Sequence, residues 1–442
     1  MTRVLLVNAH WGALFSGKVR RYNRRFAPLS LLNAAALLRQ DGAEVSLWDA
    51  RVHPEKRVGL HSAYDRIFVT LSSLDRWQCP NTDLEAMDRF LEGFPRDRLV
   101  LLGAQATVQP EVLLRRTGAK ALIVGEPEDT IRRMVASPEE WSGMPGVAML
   151  EEDAMVMGPP SPSLDLTSLP MPAFDLIDFA DYQYEVLGTN MGVLELTRGC
   201  PWRCNFCLLA MYDKKYRRKR VTQVMEEIQI AMSQGMRCAY FHDLEFTLDP
   251  ELVTALCEAL IEQDVGLEWT CQTRADTVTP ELLSLMKQAG CTLIHFGVES
   301  GSARLLSTTN KRQSQKAVMD AVGWAHDVGM RTLCFFLLGL PTETRSEMDQ
   351  TLDFARKLGP TYASFQAATP YPTTPFHTEK SFDADFPDAF DGPLNSEELR
   401  ALARRFTMSY HLRPRYWWQR VRNTTARSAG RELGLMARYL IA

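Results

Sequence analysis

No uninterrupted apolar run in these 442 residues approaches the ~20 needed to cross a bilayer, so the chain is expected to be soluble. A lipid substrate is not thereby excluded. The apolar run after Met1 is too short for a signal h-region and no small-residue cleavage site follows it; it reads as a first strand. Charge of one sign is also lacking: 50 basic and 54 acidic residues leave a net -4, which gives no reason to expect a nucleic-acid partner or a strongly acidic substrate. Cysteines number nine, and only Cys200, Cys204 and Cys207 lie close together. An odd, scattered set argues against a disulfide framework and for a reducing, cytoplasmic setting. The isolated ones, Cys79 among them, read as small buried hydrophobes.

What is present is the composition of a globular protein, 45% apolar and 24% charged, in a chain long enough for two or three compact units. Short apolar runs at 4–7, 44–48, 66–71, 99–102 and 121–124 alternate with helix-like segments. Each run is nearly continuous and ends in Gly, Ser, Asn or Asp, as a strand buried on both faces of a parallel sheet would. The pattern predicts an α/β unit over 1–140, doubly wound, with ligands held by loops at the carboxyl ends of the strands. Residues 141–191 are rich in proline and lack periodicity, which predicts an extended linker with room for one small hairpin, draped over a neighbour. Alternation resumes over 192–380 with candidate strands at 193–197, 238–242, 267–273, 293–298, 332–338 and 363–368. Six strand–helix units suit a partial (β/α)6 barrel with chemistry at its carboxyl-terminal mouth. The remainder, 381–442, reads as a helical, arginine-rich tail, its aromatic side packed on the barrel.

The segment Leu196-Thr197-Arg198-Gly199-Cys200-Pro201-Trp202-Arg203-Cys204-Asn205-Phe206-Cys207 carries the most information. Three thiolates within eight residues, on a loop just past a strand, can grip an iron–sulfur cube at three corners. With no fourth cysteine nearby, one iron stays open to another ligand. A zinc site completed by His242 or Cys238 is the competing reading, but zinc motifs favour paired ligands in two knuckles.

This C-x-x-x-C-x-x-C spacing, with Phe206 beside the last cysteine, resembles the signature of the radical S-adenosylmethionine (SAM) superfamily. The resemblance implies a 4Fe-4S cluster on Cys200, Cys204 and Cys207 whose open iron chelates SAM, and one-electron cleavage to a 5'-deoxyadenosyl radical. It also implies an electron donor such as a flavodoxin or ferredoxin. Trp202, Phe206, Leu208 and Leu209 would keep water and oxidant away. Further strand ends fit the same family: His242-Asp243-Leu244-Glu245, with Asp243 or Glu245 meeting the SAM amino group; Arg274; Glu299, for ribose or the methionine moiety; and Gly339, admitting adenine close to the backbone. Any one of these charges alone suits a surface ion pair; their recurrence at successive strand ends favours a site.

No G-x-G-x-x-G follows the first strand, which argues against a dinucleotide in the first unit. Instead Phe26-Ala27-Pro28-Leu29-Ser30-Leu31, Asp49-Ala50, Gly103-Ala104-Gln105 and Gly125-Glu126-Pro127-Glu128 resemble the cobalamin-binding radical SAM enzymes. That group includes the anaerobic magnesium-protoporphyrin monomethyl ester cyclase and many carbon methyltransferases. The tail Tyr410-His411-Leu412-Arg413-Pro414 is similar to theirs. The resemblance implies cobalamin contacts from His10, Ser72, Gly103, Gln105, Gly125 and Glu126. Two departures stand out: Asn8-Ala9-His10-Trp11-Gly12 does not reproduce D-x-H-x-x-G, and Gly103-Ala104-Gln105 replaces Gly-Gly-Pro.

The implied activity is modification of an unactivated carbon of a small-molecule, lipid or tetrapyrrole substrate, with methyl transfer the leading outcome and cyclisation or rearrangement the alternative. Membrane contact is not expected. From another class, a non-catalytic iron–sulfur or zinc protein that docks a partner fits the cysteines alone. A methylthiotransferase would need a second cluster in the first unit, where Cys79 stands by itself.

Overall fold

The computed structural model describes residues 1–9, 25–57, 63–71, 84–209, 211–212, 215–377, 390, 392–414 and 416–417. Its first sheet has the order β2-β1-β3-β4-β5-β6-β7. The strands are β1 (Arg3–Asn8), β2 (Glu44–Asp49), β3 (Arg66–Thr70), β4 (Leu99–Leu102), β5 (Ala121–Ile123), β6 (Val147–Glu151) and β7 (Ala154–Met157). The first five are parallel and coincide with the five apolar runs. Val4, Leu6, Phe68, Val100 and Ile123 pack on one face, against the helix Leu29–Gln40; Leu5, Val7, Val69, Leu101 and Leu122 pack on the other. Both faces are covered, so the runs need no alternation.

The sheet does not stop at residue 140. Within the expected linker, β6 and β7 form a hairpin that pairs antiparallel with β5 through Leu122↔Ala148 and Ile123↔Val147. Its two-residue turn, Glu152 (φ 46) and Asp153 (φ 66), has the double positive φ of a type I′ turn without the usual Asn-Gly, so no turn signal announced it. The rest of the segment packs on both units. Phe174 and Phe179 enter the core of the second sheet, and Tyr182 donates its hydroxyl to Asp49 Oδ2 at the end of β2 (2.9 Å).

A short hairpin, β8 (Gln183–Tyr184) and β9 (Gly188–Thr189), leads into the second sheet. There β10 (Met191–Leu194) is followed by a two-residue antiparallel ladder, β11 (Thr197–Arg198) with β12 (Arg217–Arg218). Then come β13 (Cys238–Phe241), β14 (Glu268–Thr273), β15 (Cys291–Glu299), β16 (Arg331–Leu338) and β17 (Tyr362–Ala367). The six long strands are parallel and in sequence order, β10-β13-β14-β15-β16-β17. Their helices start where local chemistry directs. Asp249 and Thr279 cap Leu252 N–H and Leu282 N–H with proline next in line, Ser314 caps Ala317 N–H, and Thr344 and Glu347 form a capping box. Side chains alternate: Cys334, Phe336 and Leu338 of β16 are buried in the core shared with the helices, whereas Phe335 and Leu337 on the other face are only half-buried.

The helix Ser396–His411 lies against β17. Phe406 meets the Phe365 ring edge-on at 5.6 Å, and Tyr410 donates its hydroxyl to Pro360 O at 2.6 Å. The aromatic side of the tail is thus packed, as its sequence pattern suggests; Arg415, Trp418, Arg420 and Arg422 lie outside the described residues. Among the described residues no helix is long and apolar enough to cross a membrane.

The turn into β15 fixes one residue type. Gly290 has φ 97, and a Cβ there would stand 2.1 Å from Leu267 O. Gly290→Ala is therefore expected to destabilise the fold by about 1–3 kcal/mol, the range for a strained left-handed residue, measured as a lower urea midpoint at unchanged slope. An unchanged midpoint contradicts this.

Candidate functional site

The cysteine loop leaves the carboxyl edge of the second sheet. Its root is fixed by Asp243, just past β13: Oδ2 accepts Leu196 N–H (3.2 Å), and Oδ1 accepts Thr197 N–H (2.5 Å) and the Thr197 hydroxyl (2.6 Å). Gly199, at φ 89, then turns the chain into Cys200. Farther on, Asn205 donates its N–H to Thr309 O (2.9 Å) and its side-chain amide to Thr308 O (2.8 Å), while Asn310 donates to Arg203 O (2.8 Å). The three thiols form no disulfide and are half-buried. Among the described residues no three His, Cys, Asp or Glu side chains converge as ligands of one ion would. Cysteines of a cube bind separate irons, so they need not converge, and a three-thiol loop fits that group.

Burial pushes the Cys200 thiol up to about 11, with the Glu245 charge adding to the rise. Burial also raises Cys204, while Lys311 and Arg274 pull it down. Bare thiolates are thus disfavoured here, and bound iron would supply the missing positive charge.

The strand-end residues surround this loop. Arg274, past β14, lays its guanidinium 4.1 Å over the Trp202 ring, pairs with Asp276 and donates to Lys311 O (2.7 Å). Glu299 ends β15 with φ 70, and its Oε1 accepts from Lys311 Nζ at 2.6 Å; that ammonium also donates to Gly297 O (2.7 Å). Glu245 accepts from Thr273 Oγ1, Thr277 Oγ1 and Arg274 N–H. Phe206 is half-buried on the loop.

Asp243 and Gly339 make specific contacts of their own. Asp243 spends three acceptor contacts on the loop root, so it braces the cysteines instead of reaching outward. At Gly339 (φ 81) the close neighbour is Leu399 of the last described helix, 2.6 Å from where a Cβ would stand, and its N–H is held by Glu343 Oε2 at 2.5 Å.

In the first sheet, Gly103 (φ 106) follows β4 and Gly125 (φ 88) follows β5, and the Thr107 hydroxyl joins them, donating to Gly103 O (3.0 Å) and accepting from Gly125 N–H (3.0 Å). A Cβ at Gly125 would meet nothing within 4 Å. Gln105 donates to Gln109 Oε1 (2.6 Å) and is fully buried. His10 and Ser72 lie outside the described residues. The Glu126 carboxylate, expected to face cobalamin, is engaged by Arg198 Nη1 (3.1 Å) and by Arg217. Arg198 also reaches Glu128 Oε1 (2.9 Å) and both oxygens of Glu195 (2.9 and 3.0 Å).

Sequence reasoning missed Arg198, Arg217, Glu128 and Lys311. The arginine and its glutamate partners stand about seventy residues apart, beyond any local periodicity. Lys311 had one available signal, the Thr-Asn-Lys-Arg turn, where Asn310 and Arg312 both take positive φ.

Comparison with known proteins bears on the family of the chain. The model of the radical SAM superfamily matches residues 194–355. An uncharacterized methyltransferase from Pyrococcus horikoshii is 30% identical over 336 residues, covering 72% of this chain and 73% of that one. The anaerobic magnesium-protoporphyrin IX monomethyl ester cyclase of Rubrivivax gelatinosus is 27% identical over 285 residues, 62% of this chain, which spans about half (51%) of the cyclase. Among solved structures, the radical SAM methyltransferase TsrM from Kitasatospora setae, with tryptophan and a SAM analog bound, superposes with a TM-score of 0.70 at 19% identity over 90% of this chain and 82% of that one. It was also solved with cobalamin and a 4Fe-4S cluster. At that identity the likeness shows the fold.

Glu343 offers a pH test of the strand-end architecture. Burial pushes its carboxyl up to about 7 from 4.5, against the two N–H groups of Leu340 and Gly339 that favour the charged form. The folded chain therefore binds this proton more tightly than the unfolded chain. The stabilising contribution is complete below pH 4.5 and is lost as pH rises toward 7. Glu343→Gln removes the titration, so the variant's urea midpoint should gain on the wild type across that window; a gap independent of pH contradicts the assignment.

Proposed function

The chain belongs to the radical SAM superfamily, and on that premise we propose that it is a cobalamin-dependent methyltransferase acting on an unactivated carbon of a small molecule. The observation that carries this reading is the meeting of two loops: the three-thiol loop of the second sheet and the Gly125–Glu128 turn of the first share the Glu126 carboxylate through Arg198 and Arg217. A cofactor on each loop would lie beside the other. The first sheet supports the assignment, because its order reverses between β1 and β3, and open α/β sheets hold ligands at the carboxyl ends beside such a reversal. We read the second sheet as a partial (β/α)6 barrel with the cysteine loop at its mouth.

When bound, the cluster supplies the electron that splits SAM to a 5'-deoxyadenosyl radical, and cobalamin carries the methyl group. This chain's part is to hold and shield. Cys200, Cys204 and Cys207 would hold the cluster, and Trp202, clamped by Arg274, and Phe206 would exclude water from the loop. Arg274 and Glu299 are the charged groups at the rim that face SAM, kept in place by Asp276 and Lys311. Asp243 and Glu245 hold backbone, which positions the ligands. Gly103, Gln105 and Gly125 form the wall for cobalamin, with the open space at Gly125 on the ligand side. The half-buried thiols leave an edge for a flavodoxin- or ferredoxin-like donor in a reducing cytoplasm.

Protein reconstituted with iron and sulfide without oxygen, then given hydroxocobalamin, SAM and a reductant, is expected to retain the corrinoid through gel filtration and to release both 5'-deoxyadenosine and S-adenosylhomocysteine. Deoxyadenosine without S-adenosylhomocysteine reassigns it to cyclisation or rearrangement. Corrinoid lost on the column removes that cofactor, and zinc in place of iron removes the radical chemistry.

A further inference from the structure

Five charged side chains are buried where the two sheets meet. Arg198 is 2% exposed, Glu128 0%, Glu195 3%, Glu126 8% and Arg217 9%. Arg198 and Arg217 face each other across the β11–β12 ladder, an arrangement in which like charges destabilise unless a counter-charge sits between them. Glu126, from the other sheet, is that counter-charge. The Arg198 guanidinium uses its whole fork: Nε and Nη2 donate to Glu195, Nη1 to Glu126 and Nη2 to Glu128, while its face lies 5.0 Å from the Tyr212 ring. Lysine has neither the plane nor the fixed fork to do this.

Arg198 is also two residues before Cys200. With Leu196 and Thr197 pinned on Asp243 and Arg198 pinned on the carboxylates, three successive residues at the root of the loop are fixed, and only Gly199 separates them from the first thiol. The Asp243 anchor belongs to the second sheet. The Glu126 and Glu128 anchor belongs to the turn after β5, beside Gly125.

We propose that Arg198 is a positioning residue for the iron–sulfur site, which sets the Cys200 corner relative to the first sheet so that the open iron and the Gly125–Glu128 turn are placed by one shared contact. This rests on the radical SAM reading. Groups behind a metal's direct ligands commonly change affinity 10–100-fold when altered, because they orient the ligands. The effect here reaches the loop from a carboxylate more than seventy residues away in the chain.

The experiment uses the full chain, reconstituted with iron and sulfide and reduced by dithionite, with SAM titrated against the electron paramagnetic resonance spectrum of the cluster. For Glu126→Gln the expected result is wild-type iron content, an altered spectrum and SAM binding weaker by about tenfold. Arg198→Lys should shift the spectrum and affinity in the same sense, and gives the reading from the other side of the contact if Glu126→Gln does not accumulate. Gly290→Ala, destabilised at the opposite end of β15, should titrate like the wild type. The proposal is overturned if Glu126→Gln, fully loaded with iron, binds SAM as the wild type does, or if Gly290→Ala weakens SAM equally, since the effect would then be general loss of stability. A wild-type spectrum unmoved by SAM is a separate failure, that of the radical SAM reading itself.

Discussion

Two guanidinium groups and three carboxylates are out of water at one point between two sheets, and this constraint organises the molecule. Charges so buried persist only when each is met by a partner in good geometry, and removing one partner of such a set costs about 3–5 kcal/mol. Burial raises the Glu128 carboxyl; in Glu195 the same burial is outweighed by the Arg198 charge and hydrogen bonds, which leave it below its ordinary value. One Glu128 oxygen accepts from Arg198, and the other has no hydrogen-bond partner among the described residues. The bonds of Arg198 and Arg217 register a loop of one sheet against a turn of the other, beside a buried apolar cluster that joins Phe26, Leu29 and Ala104 to Met191, Val193 and Tyr240.

The cysteine loop inherits that rigidity. It is tied at its root by Asp243 and Arg198 and at its tip by residues 308–310, so the thiols are presented by backbone that has little freedom to move. Around it the strand-end charges are used in pairs, Arg274 with Asp276 and Lys311 with Glu299. Neutral pairs at the rim keep the desolvation cost low while leaving two cations near Cys204, where a cluster bearing thiolates and sulfides would concentrate negative charge. The left-handed backbone at Glu299 is part of the same arrangement, since the ladder register shifts between Gly297 and Glu299 and lets Lys311 reach both.

Much of this was legible in the residue order. Five continuous apolar runs became five parallel strands because both faces of that sheet are covered, and the caps at Asp249, Thr279, Ser314 and Thr344 place the helices of the second sheet where hydrophobic period alone would leave their starts uncertain. The cysteine spacing singled out the loop on which the proposed site rests. Three things were not legible. A small hairpin was expected between 141 and 191, but not that β6–β7 would extend the first sheet by pairing with β5, through a Glu-Asp turn at positive φ against propensity. The strand-end acids could be found but not their direction: Asp243 turns inward to amides of its own sheet. And the Arg198 contacts depend on how two units dock, information that no window of sequence contains.

The proposal reduces to a cube that would be held at three corners with its fourth kept for SAM, and Mössbauer spectroscopy of anaerobically reconstituted protein reads that corner directly. Added SAM should alter the isomer shift of one iron and leave the other three unchanged. Four irons that ignore SAM, or a sample in which zinc replaces them, would contradict it.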